Sequence, residues 1–248
     1  MASFFATSLF AIEIATPMQA IDIAGKQRMF TQRMLKDYAM IGMGNTFGKP
    51  NEDLTQTIHN FDDHLNVLIT FTKSDATKKS LEQVKVLWEP IEKVLLEAPS
   101  LEKVGILQKD LDTLLKAANE ATQLFTKDAG VESAEIINIS GRQRMLSQRM
   151  ASLYMLKVWG TKDDAFATKL KDAMQLFKES LSKLQSSELS TDEIKKILKK
   201  VQRSFMFFEM MNRQASTKYI PTLIYKKSND MLVNMNKATL LYVENQKK

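Results

Sequence analysis

Apolar residues recur every three to four positions along nearly the whole chain, the period of a helix with one buried face. Thr16-Pro17 suits an N-cap followed by the first helical position, and the pattern after it runs to about 42–44, where Met-Gly-Asn ends it. Residues 45–50 read as a loop. Asn51 is placed to cap a second helix carrying Leu54, Ile58, Phe61, Leu65, Leu68 and Ile69. A third helix is expected over 76–97, with Leu81, Val84, Leu87, Trp88, Ile91 and Leu95 on one side and a kink at Pro90. Pro99-Ser100 interrupts the pattern. A fourth helix over 101–127 carries Val104, Leu107, Leu111 and Leu114, and Gly130 is the best boundary signal in mid-chain.

The second half repeats the first. Residues 21–38 (IDIAGKQRMFTQRMLKDY) and 137–154 (INISGRQRMLSQRMASLY) are identical at ten of 18 positions at an offset of 116, with Asp22/Asn138, Ala24/Ser140 and Lys26/Arg142 among the close swaps. Leu54, Phe61, Leu65 and Leu68 map onto Leu170, Phe177, Leu181 and Leu184 at the same offset. Near the ends the offset is 117, which matches Asn119, Ala121 and Thr122 to Asn236, Ala238 and Thr239. Ser190 with Glu193 reads as a capping box opening the third helix of this half. That helix carries Phe205, Phe207, Phe208, Met210 and Met211, most simply core, and Pro221 opens the last one.

Four helices with short connections in each repeat pack most simply as an antiparallel four-helix bundle. The expected fold is all-α: two tandem bundles, residues 16–130 and 131–248. Scarce glycine (8) and proline (5) in 248 residues agree with that. The net charge of +6 is dispersed. Its densest run, Lys195, Lys196, Lys199 and Lys200, spaces its charges as the wet side of a helix, so a nucleic-acid partner is not expected. The absence of cysteine excludes disulfides, thiolate zinc sites and cysteine catalysis. His59 and His64, five apart on a helix, diverge; two exposed histidines are expected, and no metal site.

Residues 3–11 (SFFATSLFA) form an apolar run too short to span a bilayer, and no other stretch is a transmembrane candidate. The run resembles the apolar region and cleavage end of a secretory signal peptide, without the positive start. Residues 1–15 are therefore expected to be a signal remnant, the mature chain to begin near Ile12, and the protein to be periplasmic.

On a helical wheel the repeated stretch divides into two faces. Ile23, Phe30, Met34 and Ile41 fall together, as do Ile139, Leu146 and Met150, and make the core face of each bundle. The opposite face carries Gly25, Arg28, Met29, Gln32 and Lys36, and in the second copy Gly141, Arg144, Met145, Gln148 and Ser152. A glycine inside a helix costs about 1 kcal/mol relative to alanine and marks a close backbone approach. Methionines gain nothing from facing water. This second face therefore reads as a helix–helix contact with Gly25 near Gly141.

Arg28 and Arg144 have no acidic neighbour three or four residues away, whereas Arg33 has Asp37 four residues on. Two guanidiniums brought together by pseudo-twofold symmetry repel each other and resist desolvation. A planar oxyanion held between them resolves this, and Gln32, Gln148, Thr31 and Ser147 are candidates to add hydrogen bonds. The plainer alternative is that the arginines lie at the surface or meet acids on other helices.

GKQRMFTQRM and GRQRMLSQRM resemble the signature of the PilJ-type domain of type IV pili methyl-accepting chemotaxis transducers, and are similar to the P-box of NarX-like nitrate/nitrite sensor input domains. The resemblance implies a periplasmic four-helix bundle that dimerises. It further implies that nitrate or nitrite is held at the dimer interface by the arginine that matches Arg28 and Arg144, with Gly25 and Gly141 as the preceding glycine. Two copies in one polypeptide then imply an intramolecular pseudo-dimer, with a homodimer as the alternative arrangement.

The leading expectation is an exported, all-helical sensory protein. It binds a small oxyanion, nitrate or nitrite, through Arg28, Arg144, Gly25, Gly141, Met29, Met145, Gln32 and Gln148. It needs no cofactor and relays occupancy to a membrane-bound chemoreceptor or sensor kinase. A structural or adaptor module, whose motif face binds protein rather than a small ligand, is the alternative. An enzyme is not expected, since no general base, nucleophile or metal cluster accompanies the two cations.

Overall fold

The computed structural model describes residues 13–213 and 220–246, with the side chains of 211–213 excepted. Among them are eight α-helices and no strand: α1 (Pro17–Gly42), α2 (Pro50–Phe71), α3 (Asp75–Leu95), α4 (Val104–Ala129), α5 (Glu132–Trp159), α6 (Phe166–Ser186), α7 (Asp192–Arg213) and α8 (Pro221–Asn245). The apolar run at 3–11, with any signal it carries, and the side chain of Met211 lie outside the described residues. No described helix is long and apolar enough to cross a membrane.

Local chemistry sets the helix ends. Thr16 caps α1 in a reciprocal box with Gln19, and Pro17 supplies the first-turn φ without needing a donor. Gly130 and Gly160 end α4 and α5 in the left-handed region, with φ of 65° and 95°. Two expected caps fall elsewhere. Asn51 does not cap α2: Pro50, its φ already helical, takes the first position, and Lys49 stands before it at φ 57° with no side-chain cap. Ser190 does not open α7 either. Thr191 accepts from the Ile194 N–H, while the Ser190 hydroxyl is drawn inward to the Leu184 carbonyl and the Tyr242 hydroxyl. The fourth helix begins at Val104, three residues later than expected.

Each half is a four-helix bundle. α1 packs on α2 and α4, and α3 on α4; α5, α6, α8 and α7 repeat that plan. The most extensive contact in the molecule joins the halves, with α1 against α5. Each of these helices is thus enclosed on its bundle side and on its contact side. Nineteen of the 26 residues of α1 and twenty of the 28 of α5 are buried. An ordinary amphipathic helix hides one stripe. These two hide nearly all their surface, polar residues included, so those residues must find partners inside the protein.

The outer helices behave conventionally. Ile194, Leu198 and Val201 of α7 are buried while Lys195, Lys196, Lys199 and Lys200 are exposed. The apolar block of α7 is only partly core: Phe205 and Phe208 are buried, Phe207 is half-buried, and Met210 is 50% exposed near the helix end. The last residue of each motif ties down a loop. Tyr38 accepts a hydrogen bond from the Ser100 N–H (3.1 Å), and Tyr154 from the Ile220 N–H (2.9 Å).

Candidate functional site

Of the residues expected on the core face, all but Ile41 are buried, and Ile41 is half-buried against the core. Ile23, Phe30, Met34, Ile139, Leu146 and Met150 are buried. The first glutamine of each motif is fixed into its own bundle, Gln27 donating to the Phe61 carbonyl and Gln143 to the Phe177 carbonyl, both at 2.9 Å.

The opposite face lies on the α1–α5 contact. A methyl group added at Gly25 would stand 3.7 Å from the Gly141 Cα, and the reverse distance is the same. At that crossing both guanidiniums converge. The added methyl would also meet Arg144 Nη2 at 3.1 Å and Arg28 Nη2 at 3.3 Å. Both arginines have no accessible surface.

Each arginine reaches across to the other repeat. Arg28 donates through Nη1 to Asn138 Oδ1 (2.9 Å) and Asn119 Oδ1 (2.9 Å), and through Nη2 to the Asn138 carbonyl (3.1 Å). Arg144 donates through Nη1 to Asp22 Oδ1 (2.6 Å) and Asn236 Oδ1 (3.2 Å), and through Nη2 to the Asp22 carbonyl (3.0 Å). Neither Nε has a partner. The arrangement is pseudo-twofold in every bond and unequal in charge, because Asp22 faces Arg144 where Asn138 faces Arg28.

Electrostatics follow. Burial, joined by Arg142 and Arg144, pushes the Arg28 guanidinium down to about 9, against a smaller opposite pull from Glu135; it is still a cation at neutral pH. Burial favours the neutral form of Asp22, but Arg144 and Lys26, the latter 3.0 Å away, outweigh it and hold the carboxyl below its ordinary range.

Other expected contributors sit elsewhere. Thr31 and Ser147 donate to the carbonyls of Arg28 and Arg144 on their own helices. Gln32 and Gln148 lie one turn further along and stitch the repeats together. Gln32 Oε1 accepts from Arg149 and Ser152 (both 3.3 Å), and Gln148 Oε1 from Lys36 (3.0 Å). Met29 and Met145 are buried. Arg33 does not pair with Asp37. Asp53 of α2 takes it in a two-pronged contact, and Arg149 pairs with Asp112 of α4 at 2.6 Å. Asp37 is instead fully buried, 3.4 Å from the equally buried Lys36 and beside the Asp53 carboxylate. Burial, with Asp53 reinforcing it, raises Asp37 to about 7 although Lys36 pulls the other way, and burial lowers Lys36.

His59 is exposed, as expected, but His64 is not. It is 6% exposed and packs its ring 5.1 Å from that of Phe30. Three residues after Phe61 and four before Leu68, it lies on the apolar face of α2, a signal present in the sequence. Burial, with the charge of Lys26, depresses it to about 4. The folded protein therefore keeps His64 neutral while the unfolded chain protonates it. Its contribution is complete above pH 6.5 and declines as pH falls to 4, by roughly 3 kcal/mol. Urea unfolding at pH 7 and pH 4 should show that much less acid destabilisation in His64→Leu than in the parent. Equal slopes would mean that the folded protein admits the proton freely.

The family model for the N-terminal region of type IV pili methyl-accepting chemotaxis transducers, PilJ, matches residues 18–121 and again residues 130–217. No curated protein and no solved structure matches the chain.

Proposed function

The chain belongs to the PilJ family of chemotaxis-transducer sensory domains, in two tandem copies, and from that premise we propose that its α1–α5 contact binds a small planar oxyanion, nitrate or nitrite, and relays occupancy to a signalling partner. The observation that carries the reading is Arg28. It is a fully buried cation whose side-chain partners, Asn119 and Asn138, are both neutral. An uncompensated buried charge costs several kcal/mol, and a bound anion removes that penalty. Guanidinium offers the planar fork of donors that a trigonal oxyanion matches. Asn119 is half-buried, so solvent is one residue away from the guanidinium.

Occupancy has a route to the rest of the molecule. A side-chain carbon at Gly25 would meet Arg144 Nη2 and Arg28 Nη2 at 3.1 and 3.3 Å, so the crossing is tight and an anion lodged beside Arg28 is expected to shift α1 against α5. Both halves share one chain, which keeps the two arms at high effective concentration without a second subunit. The same reading places the protein in the periplasm, on the strength of the apolar run at 3–11, beside a membrane-bound chemoreceptor or kinase that reads the shift.

Calorimetry with nitrate, nitrite, sulfate and chloride tests this. Nitrate or nitrite should bind the parent, and binding should vanish in Arg28→Ala and in Arg28→Ala with Arg144→Ala, with circular dichroism confirming folded protein. No binding by the parent, or undiminished binding by the folded variants, sinks the proposal. The Asp22–Arg144 ion pair favours a second reading, in which the arginines lock the two repeats together and the protein is an adaptor. In that case no anion changes the melting temperature.

A further inference from the structure

Asp22 and Asn138 occupy equivalent places and make equivalent bonds. Each accepts from the opposite arginine through the side-chain oxygen (2.6 and 2.9 Å) and through the backbone carbonyl (3.0 and 3.1 Å). The geometry is shared; the charge is not. Arg144 is neutralised from within the protein. Around Arg28 the nearby charges are Arg142 and Arg144, which oppose it, and Glu135, an exposed carboxylate that accepts from the Asn138 amide nitrogen at 3.5 Å and does not touch the guanidinium.

We propose that Asp22 is a built-in counter-anion that closes the Arg144 arm, so that the site takes one monovalent planar anion, at Arg28, in the seat of the Asn138 side chain. The inference rests on the oxyanion reading above and specifies it: binding is one-sided, not shared equally between two free cations. The Asp22 carboxylate shows what the seat accepts. It is flat, singly charged and places an oxygen on Nη1. Nitrate, nitrite and formate share that form, whereas sulfate is tetrahedral and doubly charged. Of the two fully buried arginines at the crossing, only Arg28 has no carboxylate on it, so a second negative charge seated there would be buried without a partner.

Exchanging the two residues one at a time tests this. Calorimetry and thermal melts in low-salt buffer would follow nitrate, formate and sulfate with the parent, Asn138→Asp and Asp22→Asn. In Asn138→Asp a carboxylate occupies both seats. Nitrate affinity should fall at least about tenfold, the equivalent of one weakened ion pair, and the melting temperature should no longer respond to anions. In Asp22→Asn both arms are open. The melting temperature without added anion should fall, and nitrate should raise it more steeply than in the parent. The parent should bind nitrate and formate with one site per chain and bind sulfate at least about tenfold more weakly. Parent-like nitrate binding by folded Asn138→Asp, or lost nitrate binding in folded Asp22→Asn, overturns the one-sided site while leaving an oxyanion site standing. A parent that binds no anion overturns both. Asp22→Asn carries the test alone if the Glu135 carboxylate prevents Asn138→Asp from folding.

Discussion

Gly25→Leu should destabilise the protein by about 3 kcal/mol or more, among the largest effects of any single substitution. The first added carbon already meets two nitrogens at 3.1 and 3.3 Å and a backbone carbon at 3.7 Å. Those nitrogens are not free ends that can swing aside. Arg144 Nη2 is held by the Asp22 carbonyl and Arg28 Nη2 by the Asn138 carbonyl. Leucine must therefore part α1 from α5 or break hydrogen bonds to two buried cations, and a buried donor left unsatisfied adds its own penalty. Gly105, where an added methyl meets nothing within 4 Å, is the internal control, and Gly105→Ala should stay within about 0.5 kcal/mol of the parent. Urea denaturation reads both. A Gly25→Leu protein within 1 kcal/mol of the parent would show that the crossing is not closely packed in solution.

The second large effect is expected at Lys36. Its ammonium donates to Gln148 (3.0 Å) and Asn229 (3.3 Å), lies 4.6 Å over the Tyr225 ring and is 3.4 Å from the Asp37 carboxylate. Lys36→Met leaves Asp37 buried without its ion-pair partner, and breaking a buried pair from one side costs about 3–5 kcal/mol. The pH dependence has a definite sign. Asp37 is already raised to about 7, and losing Lys36 raises it further. The folded variant holds a proton that the unfolded chain releases above the ordinary carboxyl range. The Asp37 contribution in the variant is therefore complete near pH 4 and is lost as pH rises through 7 and beyond, opposite in sign to that of His64. Adding Asp37→Leu should recover most of the loss, because apolar replacement of a whole buried pair is often neutral or favourable. The second repeat already carries Ser152 and Leu153 at these positions, both buried. Unfolding at pH 5 and pH 8 would decide it; a double variant no more stable than the single one would refute the account.

The two motif helices could be read from the sequence because their signals are local. The wheel separates the core face from the contact face within a single helix, and Gly25 and Gly141 mark the crossing. The partners of the arginines were hidden for the opposite reason. Asp22 meets Arg144, and Asn138 meets Arg28, across more than a hundred residues, where a search three or four residues away sees nothing. Asn119 and Asn236 were visible as repeat partners, but their role depends on how α4 lies on α1 and α8 on α5. The same applies to Arg33, whose local candidate Asp37 loses to Asp53 from the neighbouring helix. His64 differs: its place on the apolar face of α2 was legible, and only its polarity argued for water.

Joining the two copies in one polypeptide has a consequence for how this contact can change. In an assembly of identical subunits every substitution appears on both sides of the axis, so the interface can only hold matched pairs. Here α1 and α5 mutate separately. Asp22 against Asn138, Lys36 against Ser152 and Asp37 against Leu153 are combinations that no symmetric dimer of one sequence can present. The covalent link thus permits an odd charge at the centre of a nearly twofold contact, and a response to ligand that differs between the two bundles.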